Sequence, residues 1–221
     1  MLARDEHRVA VHERLREAVR GAALGDAARE DQAVPRADHV GRDRARGRAL
    51  ALATNDHTVK VDAMGLPAGA NLFFRFSTAG QTSPVGRTRT SPALDARVQQ
   101  LRIGQASCQH FEQGYYVAHR EMAQRDLDFV LFLGDYIYES SNPKYRIRTH
   151  TGGVPKTLQE YRQRHAQYKG DADLRACHAA HPWVMTWDDH EVVNDYANDL
   201  DRDFSDPATF LRRRAAAYQA Y

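Results

Sequence analysis

The sequence predicts an α/β fold, with strands and helices alternating through the second half of the chain. Three observations lead there. QLRIGQAS, DFVLFL and PWVMTW are apolar runs of strand length. Between them lie stretches with helical spacing and their own start signals. Near residue 47 the composition changes abruptly, which separates this half from what precedes it. Strands separated by helices favour a mostly parallel sheet with helices on its faces.

The chain opens with an Arg-rich segment over residues 1–46. Its first 50 residues hold eleven Arg, no Lys and no aromatic side chain. Val11, Leu15 and Val19 are its only clear helix-spaced apolar set, too little to offset the entropy of ordering. A weakly ordered tail is expected. Nine acidic residues offset the arginines and no aromatics interleave with them, so no nucleic-acid partner is expected.

Residues 47–80 read differently. HTVKVDAMGL and ANLFFRFSTAG alternate apolar and polar residues around Gly65, Pro67 and Gly69, which predicts a β-hairpin left from a small β-sandwich. Two strands alone are marginal, so this module must lean on something else. Residues 81–98, rich in Pro, Ser, Thr and Gly, are expected to be a linker.

The α/β part is residues 99–221. A strand over Gln100–Ser107 leads to a helix over Gly114–Arg125, then to the buried strand DFVLFL. Residues 141–156 form a polar loop. Thr157 followed by Glu160 is a capping box for the helix LQEYRQRHAQY. DADLRACHAA is a further helix, PWVMTW a further buried strand, residues 188–206 a long acidic loop, and Pro207 opens a last helix.

Composition narrows the function classes. The net charge is +2, from 31 basic and 29 acidic residues, which makes no case for a polyanion partner. Nothing approaches the roughly 18 apolar residues of a membrane span, and no secretory signal is visible at the start. Cys108 and Cys177 are too few for a disulfide framework or a zinc cluster.

Sites in open α/β sheets form beyond the carboxyl ends of strands. Cys108 follows the first predicted strand, Asp135 the second and Asp189 the third. Asp135 and Tyr138 are close enough along a turn to aim both oxygens at one point. Thiolate, carboxylate and phenolate together favour a strong Lewis acid such as ferric iron. Asp135 could bridge to a second ion bound by Asp189, and two ions about 3.5–4 Å apart would activate water and neutralise a phosphoryl oxyanion. Blander readings stand beside each residue: a lone Cys as small apolar filling, Gly-Asp as an ordinary turn, and Asp188 and Asp189 as caps of backbone amides.

GDYIYE resembles the GD-x-x-Y block of purple-acid-phosphatase-like metallophosphoesterases, and WDDHE their Asn-His block with Asp189 in the asparagine position. The ordered set ASC (106–108), GDYIYE (134–139), YRQRHAQY (161–168) and WDDHEVVNDYAND (187–199) resembles the PhoD-like alkaline phosphatases, with similarity from about His57 onward. The resemblance implies a partial metallophosphatase-type sheet layered with helices, preceded by the remnant of the family's N-terminal sandwich. It implies iron on Cys108, Asp135 and Tyr138, and calcium on Asp189 with Asp135 shared. It also implies a metal-bound hydroxide nucleophile and His190 as the catalytic residue beside the phosphate. The expected substrate is a small-molecule or phospholipid-type phosphate ester, as mono- or diester. Family members are typically exported.

Arg146, Arg148 and His150 lie in the loop over the site and are candidates for holding the substrate phosphate. Arg162 and Arg164 are expected in structural pairs, and Asn194 and Asp195 as groups that orient the ligands. The family's later His and Asp motifs are not in this chain. It is therefore expected to carry the first half of a metallophosphatase site, and the alternative is an inactive metal-binding fragment. Sequence does not indicate the oligomeric state.

Overall fold

The computed structural model describes residues 45–78 and 81–221. The expected Arg-rich tail lies almost wholly outside the described residues. The chain divides into two compact units, Met1–Ala68 with Ser77–Ser83, and Gly69–Phe76 with Pro84–Tyr221.

In the first unit, β2 (Ser77–Thr78) and β3 (Gln81–Thr82) pair antiparallel. HTVKVDAMGL does not form the expected strand: Val59 and Asp62 make only single-residue bridges between turns. In the second unit, β1 (Asn71–Phe74) pairs antiparallel with β4 (Gly86–Arg89), Phe74 opposite Gly86. A Cβ on Gly86 would fall 2.3 Å from the Phe74 ring, so the missing side chain makes room for that aromatic. The stretch read as a linker thus supplies β3 and β4, and the partner of NLFF lies after it rather than before it.

The α/β part follows the expected order. β5 (Ile103–Ala106), β6 (Phe129–Leu133) and β7 (Trp183–Thr186) form one parallel sheet in the order β5-β6-β7. Val130 and Phe132 are fully buried on one face, where Trp183 and Met185 also pack. The other face exposes Ile103, Leu133 and Val184. Gly104 sits on the covered face, where a Cβ would meet Leu127 at 2.7 Å.

Four helices follow in the gaps. Helix α1 (Val117–Ala123) connects β5 to β6 and packs on α3 (Ala172–Ala180). Helix α2 (Leu158–Lys169) begins with both halves of the capping box: Glu160 N–H donates to Thr157, and the Glu160 carboxylate accepts from Thr157 N–H at 2.8 Å. Asp171 caps α3 by accepting from Asp173 and Leu174 N–H. Asp206 caps α4 (Pro207–Ala220), whose first residue is Pro, and α4 packs on α2. The core gathers Phe132, Tyr136, Tyr161, Tyr168, Leu174 and Phe210 between sheet and helices. Among the described residues no helix is long and apolar enough to cross a membrane.

Candidate metal centre

The site grows out of the carboxyl ends of the three parallel strands, where the backbone turns sharply. The pairing of β5 with β6 runs on past both strands: Cys108 N–H donates to Gly134 O at 3.1 Å, and Gln109 N–H to Asp135 O at 3.2 Å. This brings Cys108 alongside Asp135. Both residues hold left-handed backbone angles, φ 57° and 55°. Such conformations cost energy for L-residues and concentrate where a side chain must be aimed. Gly134 has φ 94°, and a Cβ there would lie 2.6 Å from Asp188 Cβ and 2.7 Å from Asp188 N. Only glycine lets the loops after β6 and β7 approach this closely.

Three ligand-type side chains converge in the result. Atoms of Asp135, Asp189 and His190 lie within 4.8 Å of one another. The Tyr138 hydroxyl donates to Asp135 Oδ2 at 3.0 Å. Burial pushes the Tyr138 phenol well above its ordinary pKa. The Asp135 charge and hydrogen bond add to that, as do those of the nearby Cys108 thiol. Cys108 therefore lies beside the Tyr138 phenol. It is exposed rather than packed as small apolar filling, and both cysteines are free. Cys177, by contrast, is buried on α3, and burial pushes its thiol up to about 12.

The second oxygen of Asp135 bears on whether these residues fit a cation. Oδ1 is buried and has no hydrogen-bond partner among the described residues. A buried carboxylate oxygen without a donor is costly. Asp189 and His190 lie close by, the Tyr138 phenol is on the other oxygen, and Cys108 stands beside that phenol, a donor set that suits a metal ion. The residues present fit a metal ion.

His190 stands against the Tyr138 ring, centroids 4.1 Å apart. Its Nδ1 donates to Glu139 Oε2 at 2.7 Å. Burial disfavours the charged imidazole. The hydrogen bond and charge of Glu139, with the charges of Asp135 and Asp189, outweigh it and raise the His190 pKa. Asp189 accepts a close hydrogen bond from Asp195 N–H, and Asn194 N–H donates to Glu139 Oε1 at 3.1 Å. Residues 194 and 195 thus reach Glu139 and Asp189 through the main chain, while the Asn194 side chain donates to Asp195 at 2.6 Å.

Two buried glutamates at the strand ends, Glu139 and Glu191, are not among the residues the sequence singles out. Besides holding His190, Glu139 is kept below the usual carboxylate range, because hydrogen bonds from His190 and Asn194 outweigh the opposing effect of burial. Glu191 accepts from Asp188 N–H at 2.9 Å, Asp135 N–H at 3.3 Å and, closely, Tyr136 N–H. It ties the loop after β6 to the loop after β7. Both lie inside the motifs GDYIYE and WDDHE, so the signal was an acid next to each ligand-type residue, indistinguishable in sequence from a solvated one.

The three loop candidates for substrate binding separate. Arg148 is spent on the fold: Nε donates to Phe111 O at 2.6 Å and Nη1 to Asp171 at 2.6 Å, with the guanidinium on the Phe111 ring. The His150 side chain is 1% exposed, 3.0 Å from Tyr168 Oη and 3.1 Å from Arg164 Nη1. Both face inward because loop 141–156 wraps the buried carboxylate of Glu112, which accepts from Asn142 and His150 N–H. Arg146 is exposed.

Comparison with known proteins completes the description. The family model for "PhoD-like phosphatase" matches residues 103–221, and that for "PhoD-like phosphatase, N-terminal domain" matches residues 7–92. The second match runs through most of the segment read as a tail. Alkaline phosphatase D of Bacillus subtilis (strain 168) is 49% identical over 181 residues, 80% of this chain and 31% of that protein. A solved structure of PhoD matches with a TM-score of 0.75 at 49% identity, over 77% of this chain and 34% of the other. The chain spans about a third of the length of these relatives.

Proposed function

Because the chain belongs to the PhoD-like phosphatase family, we propose that its centre serves metal-dependent hydrolysis of phosphate esters. In this reading Cys108, Asp135 and Tyr138 hold a ferric iron, Asp189 holds calcium, and Asp135 is shared. The observation that carries it is the buried Oδ1 of Asp135, without a partner among the described residues and set beside Tyr138, Asp189 and His190.

When bound, such a pair supplies Lewis acidity, which neutralises a phosphoryl oxygen and acidifies water. The chain's own residues do the positioning. Asp135 and Asp189 concentrate negative charge at the sheet's carboxyl edge, and the left-handed turn at Asp135 aims its carboxylate there. With Nδ1 of His190 committed to Glu139, Nε2 is the nitrogen free to pass a proton to the leaving oxygen. The raised pKa suits that role as an acid. Arg146, the exposed member of the loop set, is the candidate for steering a phosphate ester towards the site.

The test combines elemental analysis with release of nitrophenol from nitrophenyl phosphate and its diester, before and after loading with iron and calcium. Metal-dependent turnover should fall roughly 100-fold or more in Asp135→Asn. A Tyr138 phenolate on ferric iron should colour the protein, and Tyr138→Phe should bleach it. Full metal content without colour, or nitrophenol release indifferent to metal and to Asp135, overturns the assignment.

A further inference from the structure

Three side chains of the motif YRQRHAQY, on α2, end on the loops that carry the ligand-type residues. We infer that α2 is the template of the site, with Tyr161, Arg164 and Tyr168 as positioning residues that hold the three strand-end loops in register. This rests on the metallophosphatase reading given above.

Positions 161, 164 and 168 fall on one face of a helix, and all three residues are buried. Tyr168 Oη accepts from Phe111 N–H at 3.1 Å and from Tyr138 N–H at 3.0 Å. One oxygen thereby joins the loop after β5, which carries Cys108, to the loop after β6. One turn earlier, Arg164 Nη1 donates to Tyr138 O at 2.5 Å and Glu139 O at 3.0 Å, and Nη2 to Gly153 O at 2.8 Å. The N–H and the C=O of Tyr138 are thus held by two side chains of the same helix. Its main chain is pinned on both sides, which leaves χ1 and χ2 to place the phenol. One turn earlier again, the Tyr161 hydroxyl donates to Val192 O at 2.5 Å. Val192 N–H in turn donates to Asp189 O at 2.9 Å, which fixes the loop after β7. Arg213 from α4 braces Tyr161 Oη at 3.0 Å.

Filling space does not explain this arrangement. A guanidinium in a core costs desolvation that leucine would avoid, and the Arg164 Nη groups end on three loop carbonyls and on His150. The polar tips tie together the segments that bear Cys108, Tyr138 and Asp189. Misplacing those segments would cost metal affinity even in a stable fold.

The experiment compares wild type, Tyr168→Phe and Thr157→Ala, the last removing the cap of the same helix without touching a loop. Amide hydrogen exchange is measured on the metal-free chain, and ferric ion alone is titrated by visible absorbance. Tyr168→Phe should speed exchange at Phe111 and Tyr138 roughly tenfold while Phe132 keeps its protection. Ferric affinity should fall by about 10–100-fold. Thr157→Ala should lower the melting temperature and leave both readouts as in wild type. Uniform acceleration of all amides in Tyr168→Phe, or ferric affinity equal to wild type, overturns the template. If wild type takes up no ferric ion, the phosphatase reading falls and the exchange pattern alone decides whether α2 holds the loops.

Discussion

Replacing Gly134 by alanine tests how the two ligand-bearing loops meet. The added Cβ would lie 2.6 Å from Asp188 Cβ, 2.7 Å from Asp188 N and 3.0 Å from Trp187 C. Ordinary carbon contacts need about 3.5 Å, so the loop after β7 must retreat by roughly 1 Å. Two of the three atoms are main chain, and no side-chain rotation relieves them. The positive φ adds roughly 1–2 kcal/mol for any L-residue. Overpacking that forces a backbone shift adds about 1–3 kcal/mol. The loss should therefore be about 2–5 kcal/mol, read from urea unfolding followed by far-UV circular dichroism. Gly152→Ala is the matched control, with φ 76° and nothing within 4 Å of its Cβ. It should show only the φ cost. The same retreat carries Asp189 away from Asp135, so ferric and calcium binding should weaken in Gly134→Ala alone. Equal unfolding midpoints for the two variants, with ion binding intact in both, would refute the claim that the loops touch at Gly134.

Other expectations follow from the same geometry. Glu191→Ala strips three main-chain N–H groups of their acceptor. At about 1–3 kcal/mol each, the urea midpoint should collapse, whereas Glu191→Gln should lose markedly less. Burial, then the Arg164 charge, pushes the His150 pKa down to about 4 from its ordinary value of 6.5. The unfolded chain therefore binds the extra proton between those values, and stability present above pH 6.5 should decline as pH falls towards 4. The decline should be on the order of 2–3 kcal/mol, and His150→Gln should flatten the profile of melting temperature against pH. Thr157→Ala should cost about 1 kcal/mol, measured by thermal melting, because the first turn of α2 loses its cap.

The sequence made the α/β part legible because its signals are local. DFVLFL is too short and too apolar for a surface helix, Thr157 and Glu160 announce a helix start, and Asp171 and Pro207 do the same for α3 and α4. The pairing of β1 was not local in this sense. Any nearby alternating stretch could serve as its partner, and the threonines and arginines of Gly86–Arg89 were hidden in linker-like composition. The metal-type residues were legible as strand-end donors, since the sheet's topology gathers such positions at one edge. What the pattern could not reveal is which polar side chains turn inward. Arg148 and His150 face Asp171, Tyr168 and Arg164, while Glu139 and Glu191 are sealed beneath the loops. Burial of this kind depends on how a loop folds back, which no periodicity records.

The parallel sheet also sets the order in which this centre can come into being. Ile103 pairs with Phe129 and Val130 with Trp183, so each ladder joins partners separated by at least one helix along the chain. Closing such distant contacts is slow, because loop entropy is lost before any pairing is gained. Cys108, Asp135 and Asp189 therefore become neighbours only once both closures are complete. Capture of a coloured ion during refolding should then be a late event, a clock for the last step rather than the first.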